Sequence, residues 1–398
     1  MALGPKANCN RTPAVVFVDN GAWDCFFELA AGVRRAGIRT IRVSIGQQEE
    51  AAPRLLFNRS ISLSSLSDLD YLSDVLQNEY VADSQPVETL AAATYAALDQ
   101  LPGPQRSDLW TGRSAVLDKW DVANALRAAG LLAPHTLAAD STTPSEAVEQ
   151  FSVPIVLKRR VGAAGDEVQI AHSLQELDQL VAKIDTLHDW FFEQFIEGRG
   201  LGCASFVGKQ GADLLATFEI AKRKSPLGPA SGYRFINDSK LVDTGKQLID
   251  ALDIRGFVDF DVIQDANGQL WIHDVNPRVF GGFSICQYMG FDFLGAYARC
   301  LFGQDPIHQN QPNTSGVTGF KFPAGWKDIL RSEPRPFAWL RLWRWVLRYW
   351  RVFGSRYFVF IALRHAGFAR QRFSKRLSSW LHTSLGAAEH DSALGRWQ

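Results

Sequence analysis

The sequence predicts an α/β protein built from two or three packed units. Three observations carry this: a strand–helix–strand pattern at 14–43, a polar-alternating hairpin at 256–276, and a length of 398 residues, more than one ordinary core holds. The 46% hydrophobic and 21% charged composition is that of a globular chain. Formal charge is zero, so no global field points to nucleic acid. The balance is uneven, however. From Pro334 to Ala388 there are eleven Arg or Lys and no Asp or Glu.

The run from Ala14 to Val18 is short, apolar and β-branched, and it ends at Asn20-Gly21, as a buried parallel strand does. Residues 22–36 place Phe26, Leu29, Val33 and Ala36 at helical spacing. Gly37 stops that helix, and Ile38 to Val43 reads as the second strand of a βαβ unit, which makes the two strands parallel. A helix at 87–98 precedes Pro102-Gly103-Pro104, where the first domain (1–106) is expected to end. A second region (107–305) opens with a helix at 118–130. Strands follow at 154–158, 190–196, 204–207 and 214–220, with helices at 174–184 and 245–252. Strands 257–263 and 270–275 form a hairpin whose Asn267-Gly268 supplies the turn.

Five cysteines without CxxC spacing indicate neither a disulfide framework nor a thiolate zinc site, and a reducing cytoplasm is the expected compartment. The N-terminus lacks the apolar core of a signal peptide. No apolar run near the C-terminus reaches the roughly 20 residues a spanning helix needs.

The hairpin carries the chemistry. Alternation places Asp259 and Asp261 on one face of its first strand, and Asp274 and Asn276 on one face of its second. Normal pairing lets both pairs converge on one point. Oxygen donors there, with no His or Cys among them, suit a hard cation such as magnesium. Arg278 follows, where its fork is suited to a phosphate or carboxylate. The competing interpretation is a row of solvated acids. Apolar intervening residues and the Asn-Pro-Arg ending favour the site. Upstream, Lys158 ends a strand before a small-residue loop with Gly162 and Gly165, which lets backbone amides approach phosphate oxygens. The run Phe191-Phe192-Glu193-Gln194-Phe195-Ile196-Glu197-Gly198 leads a strand into a Gly turn; alone it is ordinary strand. His273 precedes Asp274 and is expected to point to the opposite face, packed rather than catalytic.

Lys119 in Leu-Asp-Lys, Lys158 before a glycine loop, Glu193 on a hinge strand, and Asp261 followed by Asp274-Val-Asn276-Pro-Arg278 together resemble the ATP-grasp superfamily. Through Gly198-Arg-Gly-Leu-Gly202 they resemble its carboligases in particular. The likeness covers roughly residues 107 to 303. It implies a Rossmann-like parallel α/β domain followed by two α+β subdomains with ATP between them. It further implies Lys119 and Lys158 on the ATP phosphates with the 162–165 loop over them, and Glu193, Gln194 and Ile196 at the adenine. Gly200 stands where many members carry a Glu that holds the ribose, and Glu197 is the substitute the resemblance suggests. Asp261, Asp274 and Asn276 would hold two magnesium ions, with manganese as a substitute. Arg278 would stabilise the transferring phosphoryl group, helped by Lys222 and Arg223. Asp274 stands where Glu is usual, one methylene shorter, and Arg159 replaces a common Pro.

The implied reaction joins a carboxylate to an amine, an amino acid or peptide among the expected substrates, through an acyl-phosphate with release of ADP and phosphate. Two other readings stand beside it: a nucleotide-binding scaffold without turnover, and phosphotransfer to a non-carboxylate acceptor. The last region (306–398) is a basic, aromatic helical extension. Trp339, Trp343, Val346, Trp350 and Phe353 fall on one helical face, with Arg341, Arg344, Arg348 and Arg351 on another. Packing of the aromatic stripe on the body is the favoured expectation, and contact of 334–380 with a membrane surface or a protein partner is the alternative.

Overall fold

The computed structural model describes residues 12–19, 24–46, 55–65, 76, 79–86, 94, 118–162, 167–209, 211–223, 230–304, 311–323, 325–331 and 337–364. The expected helix at 87–98 lies almost wholly outside them. β1 (Ala14–Asp19), α1 (Asp24–Arg35), β2 (Arg39–Ile45), β3 (Arg59–Leu63) and β4 (Val81–Pro86) open the chain. Their strands form one all-parallel sheet in the order β3-β2-β1-β4. Residues 14–18 of β1 are wholly buried, which is why this central strand reads as a continuous apolar run rather than an alternating one.

α2 (Lys119–Ala128) leads into a small antiparallel sheet of β5 (Thr136–Ala138), β6 (Ile155–Arg159), β7 (Val168–Ala171) and β8 (Trp190–Gln194), ordered β5-β8-β6-β7. α3 (Pro144–Phe151) and α4 (Leu174–Val181) belong to the same subdomain. α3 begins with a reciprocal cap between Thr143 and Glu146 and a proline at its first turn. Ala147, Ile155, Leu157, Leu177 and Phe192 make a separate small core there.

A six-stranded antiparallel sheet follows: β9 (Arg199–Gly208), β10 (Gly211–Arg223), β11 (Ala230–Phe235), β12 (Gly256–Gln264), β13 (Leu270–Asn276) and β14 (Thr318–Phe320), ordered β13-β12-β9-β10-β11-β14. α5 (Ser239–Ala251) and α2 cover one face, where Val258, Phe260 and Val262 of β12 are buried with Leu248 and Ile249. The other face joins α6 (Phe283–Met289), α7 (Phe293–Leu301) and the parallel sheet in one large core. There the rings of Phe257 and Tyr297 meet with centroids 4.8 Å apart. α8 (Trp326–Arg331) and a helical segment at 337–364 complete the described chain.

That last segment packs Phe353 and Val346 of the expected stripe on the body and corrects the packing of its three tryptophans. Trp339, Trp343 and Trp350 are exposed at 66%, 62% and 47%, whereas Ala338, Trp345, Tyr349 and Phe353 are buried. Aromatic residues recur on both sides of the helix, so spacing alone does not select which side packs. Hydrogen bonds select it: the Tyr349 hydroxyl lies 2.7 Å from Ser284 Oγ and accepts from the Phe322 amide at 3.2 Å. Gly354 has φ +76°, a left-handed conformation that interrupts the helical course. The chain therefore folds back enough for Trp350 and Phe358 to meet with centroids 5.1 Å apart.

Candidate active site

β12 and β13 place Asp261 directly across from Asp274, and Asp259 directly across from Asn276. Opposite residues of an antiparallel pair share a face, so the four polar side chains lie together. Asn276 Nδ2 donates to Asp274 Oδ2 at 3.1 Å, and Arg278 Nη2 donates to Asn276 Oδ1 at 3.2 Å. Across the cleft, Lys119 Nζ donates to Asp274 Oδ1 at 2.5 Å. Arg278, Asn276, Asp274 and Lys119 thus form one continuous polar chain.

The hairpin departs from simple alternation at one point. His273 is an extra residue between the pairs Asp261–Asp274 and Val262–Ile272, a bulge. Strict alternation from Asp274 would place Ile272 among the acids. The bulge instead turns Ile272 and Leu270 into the apolar core beside Val275. It also presents the His273 carbonyl to Lys158, whose Nζ donates to it at 2.6 Å. The hairpin turn also differs from the expected pairing. Gly268 alone takes positive φ, +75°, and Asp265 Oδ1 accepts from the Asn267 and Gln269 amides at 2.9 and 2.8 Å. The turn is stapled by Asp265, with Gly268 at the left-handed position.

Lys119 owes its position to its neighbours. Asp118 caps α2, accepting from the Trp120 amide at 2.9 Å, and also accepts from Arg160 Nε at 2.7 Å. The Lys119 amide donates to the Arg160 carbonyl at 2.9 Å, tying the helix start to the end of β6. Lys158 on β6 and Glu193 on the adjacent β8 are almost fully buried and lie 3.5 Å apart. A cleft lined by Lys119, Glu193, His273 and Asp274 on its polar side, and by Val122 and Leu126 on its apolar side, opens between the two subdomains.

Charge organises this cleft. Burial works against ionisation of Asp274, but Lys119 and Lys158 overcome it and hold the carboxyl well below the usual range. Burial raises Glu193, with Lys158 pulling the other way and Asp274 adding to the rise. Gln194 Oε1 is buried and accepts no hydrogen bond from the described residues.

The remaining expected residues stand as follows. Gly162 is buried, and Gly165 lies outside the described residues. Ile196 is half-buried and Glu197 exposed at the start of the turn into β9. Lys222 is exposed, with Nζ 2.5 Å from Asp328 of α8. Arg223 ends β10, and its side chain lies outside the described residues. Among the described residues no group of three His, Cys, Asp or Glu forms a metal cage; the donor set has two carboxylates and one amide.

Sequence reasoning missed the support behind Arg278. The Val279 amide donates to Gln85 Oε1 at 3.3 Å, Gln85 Nε2 donates to Asp83 Oδ2 at 2.8 Å, and the Tyr297 hydroxyl donates to the same oxygen at 2.6 Å. Asp83, Ser84 and Gln85 are wholly buried on β4. β4 is an edge strand, paired with β1, and Val279 and Tyr297 from beyond the sheet cover its polar residues, which no local pattern reveals.

Residues 116–282 match the family model described as ATP-grasp domain. Among solved structures, the chain is similar to the ADP complex of N5-carboxyaminoimidazole ribonucleotide synthetase purK, with TM-score 0.63 and 15% identity over 81% of this chain and 84% of that one. It is similar to L-amino acid ligase from Bacillus licheniformis, with TM-score 0.59 and 18% identity over 79% and 80%. It is also similar to the biotin carboxylase domain of 2-oxoglutarate carboxylase from Hydrogenobacter thermophilus, with TM-score 0.60 and 13% identity over 76% and 72%. Likeness at this identity speaks to the fold alone. No curated protein matches by sequence.

Proposed function

From the ATP-grasp domain that this chain carries at residues 116–282, we propose an ATP-dependent ligase that joins a carboxylate to an amine through an acyl-phosphate. One observation supports this above the rest: the unbroken polar chain from Arg278 through Asn276 and Asp274 to Lys119, with Lys158 one carbonyl away. Phosphoryl transfer asks a protein mainly to position reactants and neutralise spread negative charge, and these groups do both. The buried guanidinium of Arg278 suits an anionic substrate, and an amino acid or peptide is the proposed class.

Asp261, Asp274 and Asn276 suit magnesium: two facing carboxylates and an amide oxygen, with no nitrogen or sulfur donor. Bound there with ATP, such ions would shield the phosphate charge. Lys119 now neutralises Asp274, so the same ammonium is free to turn to a phosphate once a cation takes its place on the carboxylate. Lys158, held by the His273 carbonyl and Glu193, faces the same cleft. In the reaction, a substrate carboxylate oxygen attacks the γ-phosphorus, the bond to the bridging oxygen breaks and ADP leaves. The amine then attacks the acyl carbon, phosphate departs and a proton is released. Arg278, buried and fixed by Asn276 and the Val279 carbonyl, is placed to hold the charge on the transferring group. Glu193, Gln194 and Ile196 on and beside β8 are proposed to receive the adenine, and the loop that starts at Gly162 to cover the phosphates.

The test is ADP release with pooled amino acids as carboxylate and amine donors, with hydroxylamine as a trap. ADP formation together with an acyl hydroxamate supports the reading. ADP formation without hydroxamate would point to a non-carboxylate acceptor. No ADP with any pool, and no thermal shift with nucleotide and magnesium, would remove the ligase.

A further inference from the structure

The outward side of segment 337–364 carries an arrangement that the catalytic reading leaves unused. Trp339, Trp343 and Trp350 are largely exposed, with Leu340 at 47% and Leu347 at 39% beside them. The α-helical period sets Trp339, Trp343, Leu347 and Trp350 on one arc, and Arg344, Arg348 and Arg351 on the arc next to it. All three arginines are exposed, and none meets a carboxylate within ion-pair distance among the described residues. The third side, Ala338, Trp345, Tyr349 and Phe353, is committed to the protein core. The helix is therefore anchored from behind and presents two adjoining strips, one apolar and one cationic.

We propose that this face docks on an anionic lipid bilayer, with the helix lying in the plane of the surface. A bilayer offers both needed environments in layers: phosphate oxygens outside, hydrocarbon beneath. Indole rings favour that boundary, being apolar in body with one polar N–H. Arginines beside them reach the headgroup phosphates while their stems cover apolar surface. The complete lack of Asp and Glu from 334 to 388 removes the repulsion an anionic surface would otherwise meet. A protein groove would need carboxylates matched to each arginine as well as a wide apolar floor. A lipid surface needs no such match. No described helix is long and apolar enough to cross a membrane, so the contact is a resting one. The inference is independent of the ligase reading.

The experiment is co-sedimentation of the full chain with vesicles of phosphatidylcholine alone or with a third of phosphatidylglycerol, at low and high salt. Binding confined to the anionic vesicles and weakened by salt is expected. Replacing Arg344, Arg348 and Arg351 by Gln is expected to weaken it about a hundredfold, from roughly fivefold per arginine near an anionic surface. The double change Trp339→Ser, Trp343→Ser is expected to weaken it by about tenfold or more, through loss of interfacial insertion. Because these five side chains are exposed, thermal midpoints should stay at the wild-type value, which separates lost docking from lost folding. Equal binding to both vesicle types, no binding to either, or a Trp variant that binds like wild type would overturn the proposal. Tryptophan-dependent self-association without vesicle binding would assign the face to a second copy, and would overturn it equally.

Discussion

Asp274 is the residue on which the cleft turns, because it bonds both to Asn276 and to Lys119. Asp274→Asn keeps its shape and removes its charge, so ADP formation should fall about 10²- to 10³-fold while the protein stays folded. A variant with wild-type turnover would move the metal elsewhere. Lys158 and Glu193 form a pair buried on both sides. Lys158→Met leaves Glu193 without its cation and is expected to cost about 3–5 kcal/mol in denaturant unfolding. Glu28 gives a pH signature: burial lifts its carboxyl from 4.5 to about 7, with Lys321 opposing. A carboxyl raised on folding contributes most below 4.5, and that contribution is lost as pH climbs towards 7. Glu28→Gln removes this slope, so its thermal midpoint should vary less than wild type across that window. A wild-type-minus-variant difference that stays constant from pH 4.5 to 7 would show that Glu28 does not titrate there. The shared facing of Asp259, Asp261, Asp274 and Asn276 is legible at this scale because alternation holds over those positions. The Asp83–Gln85–Tyr297 support was not, because nothing local marks a polar strand as buried.

At the scale of elements, the βαβ opening, α2 and the β12–β13 hairpin were readable from period and punctuation, with ends shifted by one to a few residues. The bulge at His273 was not, since one extra residue leaves no mark in composition. Its effect is nonetheless decisive for facing: it sends Ile272 inward while Asp274 stays in the cleft. The turn that sets this register depends on Gly268 at φ +75°. Gly268→Ala is expected to cost about 1–2 kcal/mol, the penalty of a left-handed backbone for an L side chain. An unchanged urea midpoint would show that the turn adapts. The 337–364 segment shows the limit of helical spacing: it identified a helix with an aromatic face, but the packed side is centred on Tyr349 and keeps only Val346 and Phe353 of that face.

For the whole molecule, the three cores explain the division of labour. The small sheet has a core of its own, and Lys158, Glu193 and α2 sit at the seam between it and the large one. The parallel sheet shares one core with the large sheet, α6, α7 and segment 337–364, so those parts are expected to unfold together. β14 bears on this too. It comes from beyond 305, yet it completes the large sheet by pairing Gly232 with Phe320 and Arg234 with Thr318. A chain cut after residue 305 would leave the outer rim of β11 with bare amides and carbonyls, a template for any neighbouring strand. Such a truncated protein should elute as aggregate where the full chain does not. β14 and segment 337–364 are thus a wall of the body that holds the cleft, and their proteolytic removal would cost solubility first.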